Sequence, residues 1–143
     1  MISINPYLNF PGNTEEAFEF YKSIFGGEFQ MVQRFKETPA ASSVKATEQD
    51  KIMHIALPLG NNVLMATDAL ESMNQKVTAG NNISLSINLD TKEEVDRIFK
   101  GLSQDGQAQM PPEDQFWGDY FGMCTDKFSI QWMVSCHRQV SSQ

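Results

Sequence analysis

The chain has 143 residues, 41% hydrophobic and 20% charged, a composition typical of a folded globular protein rather than a disordered one. Its 18 acidic and 11 basic residues give a formal net charge of -7, and the sequence contains no basic cluster. We therefore expect neither nucleic-acid binding nor attachment to an anionic membrane surface.

The N-terminal sequence MISINPYLNF has no basic flank and no apolar run, so it does not predict a signal peptide. The longest nearly apolar stretch, residues 52–59, is far too short to span a membrane. Cys124 and Cys136 are too few for a disulfide framework, and we expect free thiols in a reducing compartment. Together these features predict a soluble cytoplasmic protein.

The first half of the chain predicts the element order β-α-β-β-β. Residues 2–10 alternate between apolar and polar side chains, which indicates a strand. An amphipathic helix follows, with Asn13 or Thr14 as its N-cap and with Gly26 and Gly27 at its end. The next predicted elements are a strand at residues 28–36, a polar mobile loop at 37–50, and strands at 51–60 and 63–68.

After a polar connector at residues 69–82, the same order begins again. Residues 83–89 predict a strand, and Asp90 or Thr91 caps a second amphipathic helix that ends near Asp105. The remaining predicted elements are a proline-broken loop at residues 109–115, a strand at 116–123, a turn at 126–127 and a last strand at 128–134.

The two halves form an internal repeat. Residues 15–24 (EEAFEFYKSI) align with residues 93–102 (EEVDRIFKGL), and Asn9 and Phe10 align with Asn88 and Leu89. Such a long repeat indicates a duplicated supersecondary unit. Neither half can cover its own sheet, so two units must pair, either within one chain or across a dimer.

Three sequence blocks point to a family: NPYLNFPGNTEEAFEFYKSIFGGEF, DKIMHIALPLGNNVLMATD and MPPEDQFWGDYFGMCTDKFSIQWMV. In these blocks the chain resembles the PhnB-like branch of the vicinal-oxygen-chelate superfamily, which includes glyoxalases, bleomycin-resistance proteins and dioxygenases. The resemblance implies an α+β fold in which two βαβββ modules with mixed sheets form a cup. It also implies a single domain over residues 1–143, with modules at about 1–68 and 83–135 joined by the connector 69–82, and a homodimer.

Superfamily enzymes that bind a divalent metal place His, Glu or Gln on facing strands. Matching the repeat to that pattern selects Asn5, Met65, Ser84 and Gln131. These side chains are neutral, and hard or borderline metals prefer carboxylate or imidazole ligands. We therefore expect neither a catalytic metal nor another cofactor.

His54 is the residue most suggestive of a binding site. It lies within the third predicted strand, and the repeat alignment makes Tyr120 its counterpart. Tyrosines at the matching position in relatives point into the cup, which implies that both side chains contact the ligand. A core histidine that hydrogen-bonds a backbone carbonyl remains the alternative. His137 is expected in a solvated tail beyond the last strand.

Other side chains complete the predicted site. Tyr7 and Asn9 would line the same cup, opposite Ser86 and Asn88. Trp117 follows a loop at the expected cup mouth, and either a ligand-covering or a core position is open for it, whereas Trp132 is expected in the core. The predicted ligand-binding residues are therefore His54, Tyr120, Tyr7, Asn5, Asn9, Ser84, Gln131 and Trp117.

Two functional interpretations remain open. The first is a metal-free small-molecule-binding protein of the resistance type. The second is a metal-dependent isomerase, lyase or dioxygenase acting on a vicinal-oxygen substrate, which would need a metal bound by His54 and by a carboxylate such as Glu48, Asp50 or Glu113. A degenerate copy that binds no ligand is a third possibility. Some relatives are described as ubiquinone-pathway methyltransferases, but a methyl-donor site generally needs a glycine-rich turn between a strand and a helix. The adjacent glycines Gly26 and Gly27 follow a helix instead, so we do not expect that activity.

Overall fold

The computed structural model describes residues 1–137 and contains two α-helices, four short 3-10 helices and eight strands in that range. The chain divides into two compact units between Thr78 and Ala79, inside the predicted connector. We call them the first and second modules. Their elements are β1 (Tyr7–Phe10), α1 (Thr14–Phe25), β2 (Met31–Arg34), β3 (Ile52–Leu59), β4 (Asn62–Asp68), β5 (Leu85–Leu89), α2 (Lys92–Ser103), β6 (Gln107–Asp114), β7 (Asp119–Thr125) and β8 (Gln131–His137).

Each module has one helix and one four-stranded sheet of the same topology. The strand order is β1-β4-β3-β2 in the first module and β5-β8-β7-β6 in the second. In both, the first strand runs parallel to the last one, and the other pairs are antiparallel. The prediction of an α+β fold with two βαβββ modules is confirmed. Whether the modules act as one domain with the predicted bounds stays a prediction.

In the first module, α1 covers one face of the sheet because its apolar side chains recur every three or four residues. Phe18 and Tyr21 of α1 are fully buried, and the Phe18 ring packs edge-on against Phe10 of β1 at 6.4 Å. Ile55 and Leu57 of β3 are buried in the same core. His54 and Ala56, which alternate with them along β3, therefore lie on the opposite face of the sheet.

In the second module, α2 begins at the predicted cap, where the Thr91 hydroxyl accepts the backbone N–H of Glu94. Trp132 of β8 is buried, as predicted, and its indole N–H donates to the Asp126 carboxylate at 2.8 Å. That carboxylate also accepts the backbone N–H groups of Phe128 and Ile130, so one buried side chain fixes the turn into β8.

Several predicted boundaries were wrong. The first strand begins at Tyr7 rather than at residue 2, and Ile2 and Ile4 are exposed. The segment predicted as a proline-broken loop is strand β6, which tolerates Pro111 and Pro112 because it is a sheet edge. The strand predicted at residues 116–123 begins only at Asp119.

The segment predicted as a mobile polar loop, residues 37–50, contains turns of 3-10 helix. Its Val44 side chain is buried against Phe35 and Leu70, with Met53 of β3 packed alongside. Ala40 packs against the same cluster, and Gln49 Nε2 donates to the Ala41 and Val44 carbonyls, so the segment is docked by apolar contacts and internal hydrogen bonds. In the portion of the chain that the structure covers, no helix is long and apolar enough to cross a membrane.

Candidate functional site

The face of the first sheet opposite α1 carries Tyr7, Asn9 and His54, three of the four predicted binding residues of this module. Tyr7 lies on β1 and is paired in register with Met65 of β4, while His54 of β3 is paired with Gln33 of β2. Directly paired side chains lie on the same face of a sheet. We call this surface the open face of the first module. It lies away from the helix-covered core that contains Ile55 and Leu57.

Tyr7 and His54 contact each other on this open face. The Tyr7 hydroxyl lies 3.5 Å from His54 Nδ1, and the two ring centroids are 5.8 Å apart. Tyr7 is 47% exposed and His54 is partly buried. The contact is at the long limit of a hydrogen bond, so it orients the imidazole only weakly and leaves both polar groups accessible to a ligand.

The polar residues near the starts of β1 and β8 make hydrogen bonds within their own modules. The Asn5 side-chain oxygen accepts the Val63 N–H at 2.8 Å, and Gln131 Nε2 donates to the Ile83 carbonyl at 2.7 Å. In the first module, Asn62 Nδ2 donates to the carbonyl of Ile4, the repeat counterpart of Ile83. These amides thus tie the segments before β1 and β5 to the neighbouring strands.

Two of the four positions predicted to match metal ligands lie outside the strands on which they were expected. Asn5 and Ser84 lie just before β1 and β5 rather than within them, whereas Met65 is on β4 and Gln131 is on β8. The sheet register makes Val63, not Met65, the counterpart of Gln131. Among residues 1–137, no three His, Cys, Asp or Glu side chains are arranged to hold a metal ion.

The placement of Tyr120 in the ligand site was wrong. Tyr120 lies on the helix side of the second sheet, where its hydroxyl donates to Asp96 of α2 at 2.6 Å and Lys92 Nζ lies 4.9 Å from its ring centroid. The hydrogen bond to Asp96 raises the pKa of Tyr120 to about 12. This tyrosine therefore joins α2 to β7.

The register also corrects the repeat alignment on these strands. Ala56 is paired with Met65 in the first sheet, and Met123 is paired with Met133 in the second. Met65 and Met133 are counterparts, because they pair with the repeat-related residues Tyr7 and Ser86, so Ala56 corresponds to Met123. Two residues earlier on each strand, His54 therefore corresponds to Phe121. The alignment that matched His54 with Tyr120 was one residue out of register, and a shift of one residue moves a side chain to the other face.

The open face of the second module carries Ser86, Asn88 and several residues of β7 and β8. The Ser135 hydroxyl donates to the Asn88 side-chain oxygen at 3.1 Å, and Asn9, the repeat counterpart of Asn88, is exposed in the first module. Trp117 is 48% exposed in the turn before β7, so the core alternative is wrong. Its ring centroid lies 5.9 Å from that of Phe121.

His137 was wrongly expected beyond the last strand. It is the final residue of β8 and is paired in register with Asp119 of β7. Its Nδ1 lies 2.9 Å from the Asp119 carboxylate, although its side chain is 75% exposed. A longer alternating pattern through Ser135 and His137 is the sequence signal that could have extended the strand. Their pairing with β7 required the tertiary structure.

A charged pocket of ≈ 260 Å³ lies beside the start of α1 in the first module. Arg34 and Glu15 form a two-pronged ion pair there, and Arg34 also donates to the Asp50 carbonyl. This hydrogen bonding lowers the pKa of Glu15 and raises that of Arg34. Asp68 is buried and accepts the backbone N–H groups of Thr14 and Ile52. Glu15 and Arg34 thus pair with each other, backbone N–H groups satisfy Asp68, and Lys51 donates to the Gly12 carbonyl, as expected for a structural network.

Residues 2–135 match the model of the family described as 3-demethylubiquinone-9 3-methyltransferase. The chain belongs to this family. The crystal structure of protein PA1353 from Pseudomonas aeruginosa is similar to this chain. The two sequences are 37% identical, and the TM-score is 0.85 over 97% of this chain and 100% of that one. The PhnB protein from Bacillus cereus is 29% identical, with a TM-score of 0.76 over 94% and 99% of the two chains.

The family fold is that of the glyoxalases. A glyoxalase/bleomycin resistance protein/dioxygenase family enzyme from Burkholderia phytofirmans PsJN is only 19% identical, yet it has a TM-score of 0.61 over 92% of this chain and 96% of that one. At this identity the likeness concerns the fold alone. The predicted resemblance to the PhnB-like branch of the glyoxalase superfamily is confirmed.

Proposed function

We propose that the chain is a small-molecule-binding protein that works without a catalytic metal, and that Tyr7 and His54 contact the ligand. The observation that carries the proposal is the Tyr7–His54 contact on the open face of the first module. An aromatic hydroxyl and an imidazole side by side provide donors and acceptors for a bound molecule. Neither group serves the core beneath α1.

The surroundings of this pair suggest the chemistry of the ligand. Met65, paired with Tyr7, and Met31, two residues along β2 from Gln33, lie on the same face. Thioether side chains adapt to ligands of different shape, and a mainly apolar surface with a few polar groups is typical of small-molecule sites. A flexible apolar or aromatic molecule with a hydrogen-bonding group fits this combination.

The proposal of a metal-free site is supported by the polar residues at the positions that match metal ligands. Asn5 and Gln131 use their amides in hydrogen bonds within the modules. Neutral amides and the Met65 thioether are weak partners for hard or borderline divalent ions. A metal-dependent isomerase, lyase or dioxygenase remains the alternative, and it would need anionic ligands from elsewhere.

The proposed function does not include the methyl transfer in the family's description. Each sheet has a single parallel strand pair among antiparallel ones, whereas the doubly wound nucleotide-binding folds have mainly parallel sheets. We further propose a cytoplasmic homodimer. Free Cys124 and Cys136 and the edge strands β1, β2, β5 and β6 support that part of the proposal.

The test begins with metal analysis of dialysed protein and light scattering at micromolar concentration. Stoichiometric Zn, Mn, Ni or Fe that falls in Gln131→Ala would favour the enzyme, and a monomer mass would exclude the homodimer. A panel of aromatic and vicinal-dioxygen compounds is then screened by thermal shift, with catechol and benzoylformate included. Hits are measured by calorimetry in wild type, Tyr7→Phe and His54→Gln.

We expect each of these two variants to lower the affinity of a hit roughly three- to tenfold, the equivalent of one hydrogen bond. Glu19→Gln is the control, since it changes an exposed side chain of α1, on the other side of the first sheet from the Tyr7–His54 pair. If all hits bind equally well to wild type and to both variants, the Tyr7–His54 pair is not the binding site. If no compound binds, the assignment as a binding protein for this ligand class fails.

A further inference from the structure

The charged pocket beside the start of α1 lies away from the open face of the first module. Arg34 reaches it from the end of β2 and bonds to Glu15 of α1, the helix that covers the other side of the sheet. Asp50 and Lys51 line the pocket from the residues just before β3, and buried Asp68 lines it from the end of β4. The proposed binding site on the open face uses none of these side chains.

Hydrogen bonds between distant parts of the chain hold the walls of this pocket in place. The Arg34 guanidinium bonds to both carboxylate oxygens of Glu15 and to the Asp50 carbonyl. Lys51 Nζ donates to the Gly12 carbonyl at 2.7 Å. A ligand that enters a pocket with ordered walls immobilises few further side chains, which favours its binding.

These bonds leave three polar groups of the pocket lining with unused hydrogen-bonding capacity. The Lys51 ammonium group has three N–H donors and uses one of them within the protein. One Asp50 oxygen lies 2.6 Å from Lys36 Nζ, and the second has no protein partner among residues 1–137. In the same range the hydroxyl of Thr47, an exposed residue of a short 3-10 helix, also has none. The structural network therefore does not account for these groups.

The balance of charges indicates which kind of ligand the pocket would take. The pocket and its rim contain three carboxylates and three cations: Glu15, Asp50, Asp68, Arg34, Lys36 and Lys51. A ligand with a net charge would leave one charge of this set uncompensated, whereas a zwitterion would not. The pocket volume of ≈ 260 Å³ is just below the range of about 300–1,000 Å³ of most ligand pockets, so the zwitterion must be small.

We propose that the charged pocket binds a small zwitterion of the α-amino acid class. The carboxylate of the ligand accepts hydrogen bonds from Lys51 Nζ and from the Thr47 hydroxyl. Its ammonium group donates to the second oxygen of Asp50. This site goes beyond the binding function proposed for the open face, and it recognises its ligand by charged groups rather than by aromatic and thioether surface.

The experiment uses L-alanine as the probe, together with two matched compounds that each lack one of its charges. L-lactate has a hydroxyl in place of the ammonium group, and isopropylamine has a methyl in place of the carboxylate. Titration of the isotopically labelled full chain, followed by NMR, measures weak affinities and shows which backbone amides the probe affects. We expect a dissociation constant of roughly 0.1–10 mM for L-alanine, and about tenfold weaker binding of the other two compounds.

Two variants test the charged contacts. Lys51→Met keeps a long side chain without the ammonium group, and Asp50→Asn removes the carboxylate charge. Each should lower the affinity for L-alanine roughly three- to tenfold. Lys51→Met should reduce the preference for L-alanine over isopropylamine, and Asp50→Asn should reduce the preference over L-lactate. A purely structural role would change the affinity for all three compounds alike.

A third variant tests the location without removing a charge. Thr47→Phe places a ring at the mouth of the pocket from an exposed position, so we expect it to fold normally and to weaken the binding of L-alanine. It decides the question if urea unfolding shows that Lys51→Met is not folded. Lys100→Met is the control, since it removes an exposed ammonium group of α2 in the second module and should leave the affinity unchanged.

Three results would overturn this inference. The first is the absence of any shift of the Thr47 and Lys51 amides in wild type at L-alanine concentrations up to about 50 mM. The second is equal affinity for L-alanine, L-lactate and isopropylamine, which would show that the charges do not recognise the ligand. The third is equal binding of L-alanine to wild type and to Thr47→Phe. None of them affects the proposal for the open face, which has its own compounds and variants.

Discussion

Replacing His54 with alanine tests whether this histidine serves binding or folding. The side chain is partly buried on the open face, and its contact with the Tyr7 hydroxyl is 3.5 Å long. One hydrogen bond contributes about 0.5–1.5 kcal/mol, and this one is at the long end of the range. We therefore expect His54→Ala to lower the free energy of unfolding by less than about 1 kcal/mol.

The neighbouring residue Ile55 is the matched comparison. It is 1% exposed and faces the core beneath α1, so Ile55→Ala removes buried methyl groups and leaves a cavity. Substitutions of this kind lower stability by roughly 2–5 kcal/mol. Adjacent residues on one strand should therefore differ severalfold in their effect, because they lie on opposite faces of the sheet.

Urea unfolding followed by far-ultraviolet circular dichroism, to which both modules contribute, measures both changes by linear extrapolation. The slope of the transition should be the same for the three proteins, since a changed slope would indicate a different unfolded or native state. A loss of several kcal/mol in His54→Ala, similar to that in Ile55→Ala, would refute this reasoning. It would place His54 in a packed core and remove it from the candidate site.

Three further predictions concern Asp126, Glu15 and Cys124, which lie outside the Tyr7–His54 site. Asp126→Ala should lower the free energy of unfolding by roughly 2–5 kcal/mol, measured by urea unfolding, because several donors lose their buried acceptor. Glu15→Gln should lower it by about 0.5 kcal/mol near neutral pH, as for an exposed ion pair with Arg34. Since Arg34 lowers the folded-state pKa of Glu15, unfolding curves at several pH values should show this difference in full above its usual pKa of 4.5, disappearing as the pH falls through the lowered value. Burial raises the pKa of Cys124 to about 12, so iodoacetamide at pH 8 should label it only after unfolding, as mass spectrometry would show.

Contradicting results are equally specific. An Asp126→Ala variant as stable as wild type would show that solvent satisfies the freed donors of the turn. A Glu15→Gln effect that persisted unchanged in acid would exclude the charge of this carboxylate as its origin. Rapid labelling of Cys124 in the native protein would contradict its burial.

Much of the candidate site could not be derived from the sequence because strand faces depend on register. Alternation along β3 is sufficient to put His54 and Ala56 on one face of the sheet, in agreement with the register. The alignment that matched His54 with Tyr120 was one residue out of register. It therefore assigned Tyr120 to the face of the predicted site, whereas its side chain lies on the helix side of the sheet. His137 was missed for a related reason, since its partner Asp119 lies 18 residues earlier in the sequence.

The sequence by itself determined the features that arise from local periodicity. The spacing of apolar residues defined α1 and α2, and the repeat of residues 15–24 in residues 93–102 predicted two modules of one topology. The tertiary structure decided the features that depend on a neighbouring strand. Pro111 and Pro112 belong to strand β6 because that strand is at the sheet edge and its register with β7 shifts between Met110 and Glu113, which accommodates two consecutive residues without N–H groups. The side chains of Asn5 and Gln131 bond to the backbone of Val63 and Ile83, which are distant in the sequence and come within reach only in the folded chain.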